Sequence, residues 1–247
     1  MRFRFLFISI LIFTSCSKVI HLANTTPASV KFEETTAIEP DAEIAELING
    51  YSEKLDQEMN QVIGSSAKDL IKEKPESPLG NWMADIIHKK SEAYYGKPID
   101  MALVNYGGIR IPTLPKGEIT KRTMFELMPF DNMLVVLHVD AATMQQLFER
   151  MAAYGGWPIS HQVKFAIKNG QPEDVMIHGK PLDKNKIYTI AISDFIAEGG
   201  DECFFFKDKK RDLLGKLFRD ALIEGVQDLQ AEGKQVDAEV EGRVVLQ

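Results

Sequence analysis

Apolar positions recur at helical spacing directly after Pro40, which predicts that the folded part of the chain starts with a helix at Asp41. The residues that follow this spacing are Ile44, Leu47, Ile48, Tyr51 and Leu55. A second helix is predicted to begin at Ser77-Pro78, because serine caps helices well and proline suits the first helical position. Gly96 marks its end, since glycine accepts the left-handed conformation that follows many helices.

The rest of the pattern mixes helical and extended segments and contains no internal repeat. Helical spacing covers residues 120 to 128, 140 to 153 and about 211 to 230. Extended apolar runs cover residues 99 to 104, 133 to 139, 164 to 167, 175 to 177, 187 to 193 and 242 to 246. We therefore predict an α+β fold in which mixed sheets are covered by helices.

The first 16 residues follow the pattern of an export signal. Two arginines precede an apolar run over residues 5 to 13, and small residues then lead to Cys16. The run is too short for a membrane-spanning helix, which needs about 20 residues. Thr14-Ser15-Cys16 resembles the lipobox of bacterial lipoproteins, in which the cysteine becomes the lipidated N-terminus, although Phe13 stands where leucine is usual.

This pattern defines the predicted domain organisation. We expect a lipoprotein signal peptide over residues 1 to 15, a lipidated Cys16 with a flexible tether over residues 16 to 40, and one folded domain over residues 41 to 247. The corresponding location is the bacterial cell envelope, with the domain facing the periplasm or the cell surface. Secretion after cleavage at another position is the alternative.

The composition is that of an acidic globular protein. The 247 residues include 29 Lys and Arg against 36 Asp and Glu, a net charge of −7, and 45% are apolar. These values exclude a disordered chain, a collagen and a polytopic membrane protein, and they disfavour nucleic-acid binding through bulk charge. With only Cys16 and Cys203, no disulfide framework is expected, and Cys203 is predicted to be a small buried side chain.

Side chains suited to ligand binding are concentrated in three predicted loops. The first runs from Asn105 to Arg110 and contains two glycines, which allow a tight turn before a guanidinium suited to phosphate, carboxylate or ribose. The other two loops each offer an aromatic ring and a polar side chain, namely Phe130 with Asn132 and Phe195 with Asp201. Two rings on separate loops could hold a planar base between them, although each loop alone is typical of a plain connection.

Five motifs in a fixed order resemble the C-terminal domain of the 5′-nucleotidase/UDP-sugar hydrolase family. They are E-S-P-L-G-N-W-M-A-D at 76 to 85, N-Y-G-G-I-R at 105 to 110, G-E-I-T at 117 to 120, M-P-F-D-N at 128 to 132 and D-F-I-A-E-G-G-D at 194 to 201. The resemblance extends from about residue 60 to the end of the sequence. It implies a four-layer α/β/β/α domain that binds the base and ribose of a nucleotide.

The resemblance also implies a role for each candidate site residue. Phe130 and Phe195 would stack on the two faces of the base, and Arg110 would contact phosphate or ribose. Asn105 and Asn132 would be base-edge or nearby polar contacts, and Asp201 would accept hydrogen bonds from the ribose hydroxyls.

Two departures from the family pattern lie near this expected site. Family members commonly have a further arginine where residues 72 to 75 of this chain read K-E-K-P, so phosphate binding is expected to be weaker or to rely on lysine. A Ser-Gly pair that is usual in the family is replaced by His161-Gln162, which would reshape the rim of the pocket.

The largest departure concerns catalysis. The nucleotidases of this family hydrolyse phosphate esters with two metal ions, held in a separate N-terminal metallophosphoesterase domain by Asp-x-His, Gly-Asn-His-Asp/Glu and Gly-His-x-His segments. None of these segments occurs here, and the five histidines do not have their spacing. We therefore assign no catalytic residue, metal ligand or cofactor to this chain, and we expect divalent metals on a partner metallophosphoesterase.

Three functional hypotheses follow. The favoured one is a lipid-anchored component of a split 5′-nucleotidase that recognises the nucleotide or nucleoside, with the hydrolytic centre on a separate chain. The second is a stand-alone nucleotide- or nucleoside-binding lipoprotein. The third keeps a weak hydrolase activity in this chain with Asp201 or His161 as base, and it ranks last because nothing supplies the electrophilic stabilisation that phosphoryl transfer needs. The sequence leaves open whether the chain itself is an enzyme.

Overall fold

The computed structural model describes residues 41 to 247. The predicted signal peptide, Cys16 and the tether up to residue 40 lie outside the described residues. The chain divides between Glu46 and Leu47 into two units, and the unit Leu47–Gln247 contains everything described below except the first turn of the first helix. Within the described range, none of the helices has both the length and the apolar character that crossing a bilayer requires.

Residues 41 to 247 contain six α-helices and twelve strands. The helices are α1 (Ala42–Met59), α2 (Pro78–Tyr95), α3 (Lys121–Leu127), α4 (Ala141–Ala153), α5 (Asp194–Ala197) and α6 (Phe218–Ala231). The first six strands are β1 (Val62–Ser66), β2 (Leu70–Ile71), β3 (Met101–Ala102), β4 (Thr113–Leu114), β5 (Gly117–Thr120) and β6 (Met133–Asp140). The others are β7 (Val163–Lys168), β8 (Gln171–Ile177), β9 (Lys180–Pro181), β10 (Ile187–Ser193), β11 (Lys210–Leu217) and β12 (Val244–Leu246).

Side-chain caps fix where several helices begin and end. The Ser77 hydroxyl accepts a hydrogen bond from the Gly80 amide at 3.1 Å at the start of α2, as the sequence predicts. Gly96, with φ of 69°, ends the same helix. At the start of α4, Asp140 accepts from the Thr143 amide at 2.8 Å. These caps fix the residues at which α2 begins and ends and at which α4 begins.

Two four-stranded sheets form the framework. One has the strand order β11-β6-β10-β3 and the other β12-β7-β8-β9, and each combines parallel and antiparallel pairs. Successive residues of β6 face two different cores, because side chains alternate along a strand. Leu134 and Val136 pack with α2 and α6, while Val135 and Leu137 pack with α4, β7 and β10. The α+β fold with mixed sheets covered by helices is thereby confirmed.

The predicted helix over residues 211 to 230 is wrong in its first part. Residues Lys210–Leu217 form the edge strand β11, and only Phe218–Ala231 is helical. Residues such as Arg, Leu and Lys favour a helix locally, but antiparallel pairing with β6 overrides that preference. Gly215, with φ of 66°, lies where the pairing shifts register and is the local sign of the strand.

Other elements agree with the sequence pattern in part. The run from 99 to 104 forms a strand only at Met101–Ala102, and the pair of β1 with β5 was not predicted. The helix predicted at Asp41 is present as α1. Its apolar stripe, however, is not covered by other described residues, since Leu47 and Tyr51 are 61% and 74% exposed.

Glu224 connects α6 to α2 through a network of charged and polar groups. It accepts hydrogen bonds from the Tyr94 hydroxyl at 2.6 Å and from the Lys216 ammonium at 3.0 Å, and the Lys90 ammonium lies 3.1 Å away. Burial raises the pKa of this carboxyl, but the three donors outweigh burial and lower the pKa to about 2. The ionised form of Glu224 therefore stabilises the packing of α2 against α6.

A pH-dependent stability follows from this pKa. The folded-state pKa lies below the ordinary value of 4.5, so the contribution is complete above that pH and is lost as the pH falls toward 2. We expect Glu224→Gln to lower the free energy of unfolding at pH 7, and the difference from the wild type to shrink between about pH 4.5 and pH 2. Urea unfolding at a series of pH values measures it. Glu126→Gln, at an exposed position of α3, is the control; a gap independent of pH would contradict the assignment.

Candidate functional site

The three loops singled out in the sequence meet at one cavity. Its volume is ≈ 290 Å³, and it lies among loops that follow or precede strands of the first sheet. The lining residues are Asn105, Gly107, Gly108, Arg110, Phe130, Asn132, Phe195 and Asp201. All six candidate residues from the sequence are in this set.

Asn105 connects the first loop to the third. It follows the strand β3, is buried, and donates from its side-chain amide to an Asp201 carboxylate oxygen at 2.8 Å. The chain then makes a 3₁₀ turn over Tyr106–Gly108. A Cβ on Gly108 would lie 2.8 Å from the Asn105 side-chain oxygen, so glycine is needed for Asn105 to hold this position.

Arg110 closes the first loop and points its charge toward the second. Its backbone amide donates to the Leu127 carbonyl at 2.9 Å, which fixes the main chain. The guanidinium lies 5.7 Å from the centre of the Phe130 ring, and within residues 41 to 247 it donates only to the Gly107 carbonyl, at 3.3 Å. Because the side chain is exposed and five N–H donors are present, most of them are available to an anionic ligand.

A buried arginine fixes the backbone of the second loop through hydrogen bonds. Arg219, at the start of α6, donates to the backbone carbonyls of Met128 and Phe130 at 3.3 and 3.2 Å and to the Asp131 carboxylate at 2.6 Å. These bonds fix the backbone while the Phe130 ring stays 38% exposed toward the cavity. Sequence reasoning missed Arg219, which comes from a segment more than 80 residues further along the chain.

The third loop presents Phe195 from the one-turn helix α5. Its ring is 45% exposed, and the turn is capped by Ser193, whose hydroxyl accepts from the Ile196 amide. Gly200 lies against this ring: a Cβ there would be 2.5 Å from the ring and 2.6 Å from the Phe195 carbonyl oxygen. Glycine at position 200 is therefore required for the position of this ring.

Asp201 is held in an unusual backbone conformation. Its φ is 48° and that of Glu202 is 65°, in the left-handed region that non-glycine residues rarely adopt. Arg150 of α4 supports both residues, because its Nε donates to the Asp201 carbonyl at 2.7 Å and its guanidinium pairs with Glu202 at 2.7 Å. Such strain persists only where the surroundings enforce it. Arg150 was not predicted, since nothing near it in the sequence marks this contact.

Two lysines lie beside Arg110, where the family pattern has arginine. The Lys72 ammonium donates to the Ile109 carbonyl at 2.7 Å and lies 4.0 Å from the centre of the Tyr106 ring. The Lys74 ammonium lies 4.7 Å from the same ring. Burial lowers the pKa of both lysines, and the positive charges of Arg110 and Lys74 lower that of Lys72 further. Lys72 thus adds positive charge near Arg110, and neither lysine lines the cavity itself.

The described residues do not offer the ligand set of a two-metal hydrolase. Within residues 41 to 247 no three His, Cys, Asp or Glu side chains are grouped so that they could hold a metal ion. Asp201 and His161, the bases of the third hypothesis, line two different cavities. Cys203 is fully buried, as predicted, and burial raises the pKa of its thiol to about 12, so it is no nucleophile at neutral pH.

Comparison with known proteins identifies one family. Residues 62–208 match the family described as 5′-nucleotidase, C-terminal domain. A cell wall protein of Listeria monocytogenes is 26% identical over 85% of this chain, and protein UshA of Escherichia coli is 32% identical over 41% of it. The chain spans 30% and 19% of the length of these two proteins.

Two solved structures have the same fold. A 5′-nucleotidase precursor from Thermus thermophilus superposes with a TM-score of 0.69 at 28% identity, covering 82% of this chain and 42% of that one. A putative 5′-nucleotidase from Staphylococcus aureus superposes with a TM-score of 0.68 at 19% identity, covering 87% and 45%. The chain therefore corresponds to less than half of each of these structures.

Proposed function

The chain belongs to the 5′-nucleotidase C-terminal domain family, and from that premise we propose that its folded domain recognises a nucleotide whose phosphate ester is hydrolysed at a metal centre on a separate chain. The observation that carries this proposal is the convergence of six side chains from three loops on a single cavity. Their chemistry combines two exposed aromatic rings, two amides, one guanidinium and one carboxylate. This set matches the base, ribose and phosphate of a nucleotide.

Each contact of the proposed complex follows from a position in the cavity. The base stacks on Phe130 and Phe195, which are 38% and 45% exposed. The ribose hydroxyls donate to Asp201, whose carboxylate is oriented by the Asn105 amide. Asn132 lies beside Phe130 at the base edge. The phosphate extends toward Arg110, where Lys72 adds positive charge.

The hydrolytic step is assigned to a partner because the described residues lack its ligands. A metallophosphoesterase centre supplies two divalent ions that activate water and stabilise the charge on the phosphate. The folded domain described here would bind and orient the nucleotide for that centre. Attachment to the membrane through Cys16, at the cell envelope, is part of the same proposal and rests on residues 1 to 16.

Calorimetric titration of the full chain with adenosine and AMP tests the proposal. We expect both to bind and AMP to bind more tightly, because only AMP carries a phosphate for Arg110. Arg110→Gln should remove most of the preference for AMP and leave adenosine binding nearly unchanged. Arg122→Gln is the matched control, since Arg122 is paired with Asp56 and does not line the cavity.

Phosphate release from AMP with added Mn²⁺ is assayed in the same samples. No release by the chain alone is expected. Metal-dependent release that is lost on substitution of this chain's own residues would contradict a separate hydrolytic centre. Absence of binding for both ligands, with the fold intact, would contradict the recognition role.

A further inference from the structure

A second site lies at the position where His161-Gln162 replaces the family's Ser-Gly pair. We propose that His88 and His161 bind a divalent transition-metal ion such as Zn²⁺ or Cu²⁺, which displaces the Gln162 amide from between the two rings as the exposed His161 ring moves toward His88. This second site is separate from the nucleotide cavity, because none of these three residues lines that cavity.

The two imidazoles point one nitrogen each at the same atom. The Gln162 amide nitrogen lies 3.1 Å from His88 Nδ1 and 3.2 Å from His161 Nε2. An amide NH₂ group has two hydrogens, so it donates to both rings only if each presents a lone pair. Two neutral imidazole lone pairs directed at one point are the donors that Zn²⁺, Cu²⁺ and Ni²⁺ prefer.

The outer nitrogen of each ring is held by an oxygen acceptor. His88 Nε2 lies 2.8 Å from the Ile99 carbonyl oxygen, and His161 Nδ1 lies 3.2 Å from an Asp85 carboxylate oxygen. Asp85 is itself fixed by two bonds from the buried guanidinium of Arg243, at 2.9 and 2.6 Å. Metal-binding histidines characteristically have such partners, which fix the tautomer and the orientation of the ring.

Gln162 is poorly satisfied where it is. Its side-chain oxygen is buried and has no hydrogen-bond partner among residues 41 to 247. A buried acceptor without a partner costs free energy, so displacing this amide costs less than displacing a fully bonded one. The polar environment also suits a cation, because the carboxylates of Asp85 and Glu92 lie beside the outer nitrogens at 3.2 and 3.7 Å.

An ion can reach this position from solvent. His161 is exposed, and it lines with Gln162 two neighbouring cavities of ≈ 520 and ≈ 510 Å³. His88 is buried, so it presents its nitrogen without moving, while His161 closes on the ion from the surface. Water completes the coordination, which makes this a two-histidine site of moderate affinity rather than a structural centre.

Titration of the purified full chain, without a histidine tag and without nucleotide, tests the inference. We expect one equivalent of Zn²⁺ to bind at pH 7.5, and His161→Ala to weaken binding at least about tenfold. His178→Asn is the matched control, since His178 lines the same cavity, and asparagine tolerates its φ of 51°. Equal affinity in His161→Ala, or loss of binding in His178→Asn, would overturn the proposal.

Two further measurements address the coordination directly. In the electron paramagnetic resonance spectrum of the Cu²⁺-loaded chain, hyperfine coupling from two imidazole nitrogens is expected, reduced to one in His161→Ala. Gln162→Ala should bind Zn²⁺ as tightly as the wild type or more tightly, because the competing amide is gone. A tenfold weaker affinity in Gln162→Ala would refute the displacement of this amide.

Discussion

Replacing Arg243 by methionine is expected to lower the free energy of unfolding by about 3–5 kcal/mol. The Arg243 guanidinium is 2% exposed and donates to the Asp85 carboxylate and to the Ile159 carbonyl at 2.8 Å. Methionine fills a similar volume but removes the donor from the Ile159 carbonyl and from the Asp85 carboxylate, which keeps only its contacts with His161. The cost is large because the buried Ile159 carbonyl cannot recover its hydrogen bond from water. Urea or thermal unfolding of the two proteins measures it.

A surface arginine provides the comparison for this prediction. Arg122 pairs with Asp56 at 2.6 Å, the same distance as in the pair of Arg243 with Asp85. The side chains of Arg122 and Asp56, however, are 43% and 55% exposed. Arg122→Met should therefore cost less than about 1 kcal/mol. Similar losses for the two variants would show that burial of Arg243 does not determine its contribution.

Substitution of either cavity phenylalanine by alanine should weaken adenosine binding by about 1–3 kcal/mol, which corresponds to roughly 5- to 150-fold in affinity. The reason is that stacking on Phe130 and Phe195 supplies the main apolar contact of the proposed complex. Because both rings are exposed, their removal leaves no core cavity and the fold should persist. Calorimetry with adenosine gives the affinities, and circular dichroism verifies the fold.

Tyr51→Ala is the matched control for these two variants, because Tyr51 is an exposed aromatic residue of α1 that does not line the cavity. Phe130→Tyr should retain most of the affinity, since it keeps the aromatic face. Adenosine affinity that is unchanged in both alanine variants, with the fold intact, would contradict the proposal that the base binds between these rings.

Local signals predicted the parts of the fold that depend on neighbouring residues. Ser77 and Gly96 mark the ends of α2 through a hydroxyl cap and a left-handed glycine, and both effects act within one turn. The strand β11 escaped prediction because its conformation is set by pairing with β6, about 75 residues earlier in the chain. The same segment read alone has the composition of a helix.

The candidate site shows the same division between local and distant causes. The residues that line the cavity lie in loops with glycine pairs and aromatic rings, which are visible in the sequence and in its resemblance to a family. The residues that hold those loops in place, Arg150 and Arg219, come from α4 and α6. Their side chains bind backbone carbonyls and the carboxylates of Asp131 and Glu202, which lie far away in the sequence, so no local pattern predicts these contacts.

The hydrogen bonds that connect Glu76 and Asp85 to residues 241 to 244 also affect how the domain folds during synthesis. Glu76 accepts from the backbone amides of Glu241 and Arg243, which lie 165 and 167 residues further along the chain. Asp85 accepts from the guanidinium of Arg243, 158 residues further along. Until that late segment has left the ribosome, the carboxylates of Glu76 and Asp85 lack the hydrogen bonds that residues 241 to 243 donate. Contacts of such sequence separation form slowly. We expect the nascent chain to stay protease-sensitive during translation and to become resistant only after residue 244 has emerged.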